Sequence, residues 1–209
     1  AERWQKLTGR YITEAYGLTE SSPGVCANPL GTPWNGAIGL PFPSTEVSIR
    51  NDDFRELPVW TGEDDVERHT GEICVRGPQV MKGYWNNPEE TAKVLRDGWL
   101  MTGDVGHMDS KGYVTLTDRK KEMILVSGFN VYPNEIEGVV ATHPGVLECG
   151  VVGVPDPKSG EAVKVFVVKK DPALTREDVI EHCKAHLTGY KLPRQVEFIE
   201  LLPKSPIGK

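Results

Sequence analysis

What most constrains this chain is an extended, two-residue pattern that recurs three times between glycines and prolines. Glu46-Val47-Ser48-Ile49-Arg50 alternates polar and apolar residues. Gly71-Glu72-Ile73-Cys74-Val75-Arg76-Gly77 carries a similar pattern between two glycines, and Gly112-Tyr113-Val114-Thr115-Leu116-Thr117 repeats it. A period of two sends neighbouring side chains to opposite faces, so these segments predict strands of a sheet with one face packed on a core. Pro41, Pro43, Gly62, Gly77, Pro78 and Gly83 punctuate the stretch from about Gly36 to Thr117, which predicts short strands rather than long helices. Around it, residues 1 to about 10 read as the end of a helix, and Tyr11 to Ala15 as a strand before a glycine turn. Asp52 to Arg68 is polar and reads as a loop. Pro88 to Leu95 reads as a short helix capped by Asn87, with proline in its first turn.

After Lys121 the period changes. Met123 to Val126 reads as a buried strand, and Pro133 to His143 as a helix with Ile136, Val139 and Val140 on one face. Leu147 to Val154 and Ala162 to Val168 read as strands. Thr175 to Leu187 reads as a helix that Thr175 can cap, with Asp178 three residues on, and Gln195 to Leu201 as a last strand. The chain is thus expected to be α+β, with a β-rich region over 1–120 and a small α+β domain over 121–209.

Composition excludes several classes. The net charge of -6 argues against nonspecific nucleic-acid binding, and no apolar run approaches the length of a bilayer span. The first ten residues are polar and mixed, unlike a secretory leader. Cys26, Cys74, Cys149 and Cys183 show no Cys-x-x-Cys spacing, so reduced thiols of a cytosolic protein are expected. His182 and His186 are four apart, but Cys183 stands where a zinc-protease helix needs glutamate, so a polar helix face is the better reading.

Four short motifs carry chemistry. In Tyr16-Gly17-Leu18-Thr19-Glu20, a glycine permits close backbone approach to a flat ligand, and a hydroxyl beside a carboxylate can hold a phosphate oxygen and a magnesium ion. Taken alone, the segment is an ordinary strand-turn. Trp99-Leu100-Met101-Thr102-Gly103-Asp104 places a carboxylate, a good acceptor for two hydroxyls, after a glycine. Asp118-Arg119-Lys120-Lys121-Glu122 offers a guanidinium fork, or equally a solvated basic run. Pro203-Lys204-Ser205-Pro206-Ile207-Gly208-Lys209 puts an ammonium after a glycine, where it could stabilise developing phosphate charge.

Taken in series, these motifs resemble the signature of adenylate-forming acyl-CoA ligases. Gly39-Leu40-Pro41, Gly77 to Trp85 and Gly189-Tyr190-Lys191-Leu192-Pro193 extend the likeness to long-chain fatty acid-CoA ligases over essentially the whole chain. Met101 departs from it, since fatty-acid members often carry histidine there. The resemblance implies a distorted-barrel subdomain that ends an adenylation domain, followed by a mobile C-terminal domain turning about Lys121. It implies that Tyr16 and Gly17 hold adenine, Thr19 the α-phosphate, Glu20 Mg²⁺, Asp104 the ribose hydroxyls and Arg119 ribose or phosphate oxygens. Gly128 and Phe129, in the Ser127-Gly128-Phe129-Asn130 turn, would lie along the pantetheine channel of CoA, and Lys209 would act in adenylation. ATP, Mg²⁺, CoA and a fatty acid are the implied cofactors and partners, with no nucleic acid. A cytoplasmic location is implied, and peripheral membrane association of the full enzyme stays open.

Family members also carry a Ser/Thr/Gly-rich phosphate loop, and no such stretch occurs here. The chain is therefore expected to be a piece of a longer enzyme and inactive by itself. An aryl-CoA ligase, a peptide-synthetase adenylation domain, and a noncatalytic nucleotide-binding or interaction module are the alternatives.

Overall fold

A computed structural model describes residues 2–203. The chain forms two compact units, Ala1–Lys120 and Lys121–Lys209. Both are mixtures of strands and short helices, so the protein is α+β and rich in sheet, one of its sheets curled into a half-barrel.

In the first unit a short helix, α1 (Glu2–Thr8), precedes a three-stranded antiparallel sheet of β1 (Ala15–Gly17), β2 (Gly24–Ala27) and β3 (Leu40–Pro41). The expected strand over Tyr11–Ala15 starts later, because pairing begins only where Ala15 meets Ala27. A five-stranded sheet follows. It is built from β4 (Glu46–Arg50), β5 (Gly71–Arg76), β6 (Leu95–Arg96), β7 (Trp99–Met108) and β8 (Val114–Arg119), with β5 and β7 central. Gly39 and Val114 bridge the two sheets. A Cβ at Gly39 would lie 2.0 Å from the Ala27 carbonyl carbon, so only glycine lets the backbones come this close. Val25, Ile49, Ile73, Val75, Leu100 and Val114 form the core of this unit. Helix α2 (Pro88–Val94) starts as the sequence implies, with the Asn87 side chain accepting from the Glu90 amide.

In the second unit, β9 (Ile124–Val126) and β10 (Phe129–Val131) form a hairpin whose two turn residues, Ser127 and Gly128, both have positive φ, as a type I′ turn requires. Helix α3 (Pro133–Ala141) leads to β11 (Val146–Asp156), which pairs antiparallel with β12 (Gly160–Lys169). Helix α4 (Arg176–Lys184) then crosses over to β13 (Gln195–Phe198), which runs parallel to β12. Thr175 and Asp178 form the capping box that opens α4. Val163, Val165 and Val167 of β12 pack against Ile136, Val140, Val179 and Cys183 of the two helices.

Candidate functional site

In the first unit the site begins as a break in a β-ladder. Strand β7 pairs with β5 at Cys74–Met101 and again at Glu72–Val105, so Thr102, Gly103 and Asp104 all stand opposite Ile73. This bulge explains why the segment shows no alternation in the sequence, and it re-aims Asp104. Gly103 takes φ +74° there, its amide donates to Glu72 Oε1 at 3.0 Å, and the Thr102 hydroxyl donates to the Ile73 carbonyl at 2.7 Å. The Asp104 amide in turn donates to Thr102 Oγ1 at 3.1 Å.

The carboxylate so placed is 6% exposed. Tyr16, on β1, donates its hydroxyl to Asp104 Oδ2 at 2.5 Å. Arg119 lies directly across the ladder from Asp104, with its Nε 3.5 Å from Oδ1. Tyr16, Asp104 and Arg119 thus meet from three strands, and the carboxylate keeps lone pairs for two further donors. Burial pushes the Tyr16 phenol above its ordinary value, and the neighbouring Asp104 raises it further. The phenol therefore remains a donor throughout the physiological range.

The turn after β1 is shaped by Ser21. Its buried hydroxyl accepts from the Leu18 amide at 3.0 Å and faces the Pro23 carbonyl at 2.5 Å. Thr19–Ser21 form one 3₁₀ turn, with Thr19 exposed and Glu20 half-buried. Gly17 is obligatory, because a Cβ there would sit 1.7 Å from the Pro23 carbonyl oxygen. Glu20 accepts from the Tyr84 hydroxyl on Oε1 at 2.9 Å and from the Met81 amide on its carbonyl at 2.8 Å. The same bond to Glu20 raises the Tyr84 phenol above its ordinary value.

Behind Arg119, Lys120 reaches Glu72 Oε2 at 3.0 Å and Asp52 Oδ1 at 2.8 Å. Burial would lower its ammonium, but the bonds to Asp52 and Glu72 outweigh that and leave it above its ordinary value. Because Glu72 also holds the Gly103 amide, this pair braces the bulge from behind. Sequence reasoning missed Tyr84, Thr102, Glu72 and Lys120 as supporting residues. Only their place inside quoted motifs hinted at them, since each partner is tens of residues away.

In the second unit, Gly128 has φ +86° at the tip of the hairpin, and a Cβ there would meet nothing within 4 Å. Phe129 is half exposed and stacks on Tyr190, ring centroids 4.7 Å apart and 20° from parallel. Lys209 lies outside the described residues. Among the described residues no cluster of three or more His, Cys, Asp or Glu could hold a metal ion. His182 Nε2 faces the Val139 carbonyl at 3.1 Å, and His186 Nδ1 donates to the His182 carbonyl at 2.9 Å. The thiols of Cys26 and Cys74 are pushed up to about 12 by burial, which leaves them poor nucleophiles.

The fold is that of adenylate-forming enzymes. The structure of ATP-bound MatB from Rhodopseudomonas palustris superposes with a TM-score of 0.86 at 36% identity, covering 99% of this chain and 40% of that one. The o-succinylbenzoate CoA synthetase of Bacillus subtilis, in complex with its acyl-adenylate intermediate, gives 0.85 at 31% identity, covering 100% and 41%. Two family models match, AMP-binding enzyme over residues 1–85 and AMP-binding enzyme C-terminal domain over residues 135–209, and the chain belongs to the AMP-binding enzymes. Its relatives include the long-chain-fatty-acid–CoA ligases of Salmonella typhimurium, 59% identical over 210 residues, and of Bacillus subtilis, 46% identical over 210 residues. Each alignment covers 100% of this chain and 36% of the relative, so the chain spans about a third of the length of the relatives it matches.

Proposed function

We propose that this chain is the C-terminal portion of a long-chain fatty acid-CoA ligase. Such an enzyme activates a fatty acid with ATP to an acyl-adenylate and then transfers the acyl group to CoA. The observation that carries the reading is the convergence of Tyr16, Asp104 and Arg119, next to the Thr19-Glu20 turn, in a chain 59% identical to a named ligase of that kind.

In this reading the buried Asp104 accepts both ribose hydroxyls, held in place by Tyr16 and Arg119. The Gly17 backbone and Tyr16 border adenine, and the exposed Thr19 hydroxyl donates to the α-phosphate. The donor set suits magnesium: a single carboxylate, Glu20, with the remaining positions left to phosphate oxygens and water, as this ion prefers. Bound there, the ion would neutralise charge on the departing pyrophosphate. The Lys209 ammonium would stabilise the α-phosphate as the fatty carboxylate attacks. The second unit would turn about Lys121, where the compact units divide, and bring the Gly128 turn and Phe129 along the pantetheine arm of CoA. Four free cysteines accord with a cytoplasmic enzyme, and no helix among the described residues is long and apolar enough to cross a membrane.

The test is an intact mass of the natural gene product, followed by a ligation assay with fatty acid, ATP and CoA. A longer product that forms long-chain acyl-CoA is expected, together with no acyl-CoA formation by residues 1–209 alone. A natural product of only these residues with no ligation would instead favour a binding module.

A further inference from the structure

Glu20 is held at two points by a segment that sequence reasoning left without a role. Its backbone carbonyl takes the Met81 amide at 2.8 Å, and its side chain takes the Tyr84 hydroxyl at 2.9 Å. Tyr84 is itself anchored. Its amide donates to Thr91 Oγ1 at 2.9 Å, and the Thr91 hydroxyl donates to the Asn87 carbonyl at 2.8 Å, inside the first turn of α2. The residue before it, Gly83, has φ +146°, and a Cβ there would lie 2.8 Å from Thr91 Cγ2. The chain can thus press Tyr84 against the helix only because position 83 lacks a side chain. An Asn87-capped helix therefore fixes Tyr84, and Tyr84 fixes one oxygen of Glu20.

We propose that Tyr84 is a positioning residue that presents Glu20 to a divalent cation through one carboxylate oxygen, Oε2, by occupying Oε1. The proposal rests on the reading of Glu20 as the magnesium ligand. A free glutamate side chain turns about three torsions and can chelate with both oxygens. One whose Oε1 is engaged offers a single oxygen at a set position, which suits the near-octahedral, oxygen-only demand of magnesium. With Glu20 as the one protein carboxylate in that reading, the whole protein contribution to the ion would depend on this orientation.

The experiment is a titration of Mn²⁺ into the full-length ligase with α,β-methylene-ATP, followed by electron paramagnetic resonance. Wild type, Tyr84→Phe, Glu20→Gln and the double variant are compared, with metal-free nucleotide binding as control. A hydrogen bond to a charged group near the surface predicts that Tyr84→Phe weakens Mn²⁺ by about fivefold, with metal-free nucleotide binding unchanged. Glu20→Gln should weaken it more, and the double variant should bind no worse than Glu20→Gln. Thr91→Val, which frees the Tyr84 backbone and keeps its hydroxyl, should give a smaller loss in the same direction. If Tyr84→Phe binds Mn²⁺ like wild type while Glu20→Gln does not, or if the two losses simply add, the positioning role is wrong and Glu20 keeps its place. If Glu20→Gln leaves Mn²⁺ binding unchanged, both the magnesium reading and the role of Tyr84 fall.

Discussion

Replacing Gly17 with alanine tests the architecture of the turn after β1 directly. The added Cβ would sit 1.7 Å from the Pro23 carbonyl oxygen, 2.6 Å from its carbon and 3.2 Å from Gly24 Cα. All three are backbone atoms, so no side chain can swing aside. Relieving the contact requires a separation larger by about 1.5 Å. The Pro23 oxygen accepts from the Leu18 amide at 3.0 Å and lies 2.5 Å from the Ser21 hydroxyl, so moving it breaks both interactions. Two lost hydrogen bonds cost about 2 kcal/mol and the residual overpacking about 1 kcal/mol or more, some 3 kcal/mol in all. For a unit of this size that is a fall of roughly 12 °C in melting temperature. Calorimetry of the 209-residue chain and Gly17→Ala should show it in the transition of the first unit. Melting within about 3 °C of the parent sequence would refute the reasoning, since the close approach would then be relieved at no cost.

Gly138→Ala is the matching contrast, because the residue is exposed on α3 with nothing within 4 Å of a Cβ; the second unit should gain about 0.7 kcal/mol in chemical denaturation, and a loss would contradict the helix. Tyr16→Phe should cost the first unit about 2 kcal/mol by leaving the buried Asp104 short of a donor, and a loss under about 0.5 kcal/mol would show that the bond matters little. His69 presents Nδ1 to the Pro58 carbonyl and Nε2 to Asp64, both at 2.9 Å, and only the imidazolium donates to both. The Pro58 carbonyl, and then Asp64, hold its pKa above the ordinary value; the contribution is complete below about 6.5 and fades as pH rises through the higher folded value. An NMR titration should place the His69 midpoint above that of a free imidazole, and that of His107, lowered chiefly by burial, below it; the reverse order would overturn both assignments. The proposed function predicts that, in the full-length protein, Lys209→Ala impairs adenylation far more than transfer of preformed acyl-adenylate to CoA, and that Gly128→Leu does the opposite. Equal loss of both half-reactions in either variant would sink that division of labour.

Local physics made much of the fold readable. The caps at Asn87 and Thr175 act within four residues, so the helices they open were evident from side-chain chemistry alone. Strand β4 alternates because Val47 and Ile49 pack on the core of the first unit, whereas of the apolar residues on β8 only Val114 is buried and Leu116 faces outward. Strand β12 is rich in valine because it lies inside its sheet, paired with β9, β11 and β13, and turns Val163, Val165 and Val167 into the core. Strand β7 was hidden, since its bulge at Thr102-Gly103-Asp104 destroys the period that reveals a strand. The start of β1 was misplaced because Tyr11 to Glu14 have strand-like residues but no ladder partner.

The sequence by itself determined the α+β character, the change of pattern at Lys121 and the candidate residues to which the proposed function assigns adenylation chemistry. Those depend on side-chain type and on spacings of a few residues. The tertiary structure alone decided that Tyr16 donates to Asp104 across 88 positions, that Tyr84 holds Glu20 across 64, and that Lys120 braces the bulge through Glu72 across 48. Such pairs arise from strand register and close backbone approach, and no local pattern encodes which distant residue a folded ladder will bring alongside.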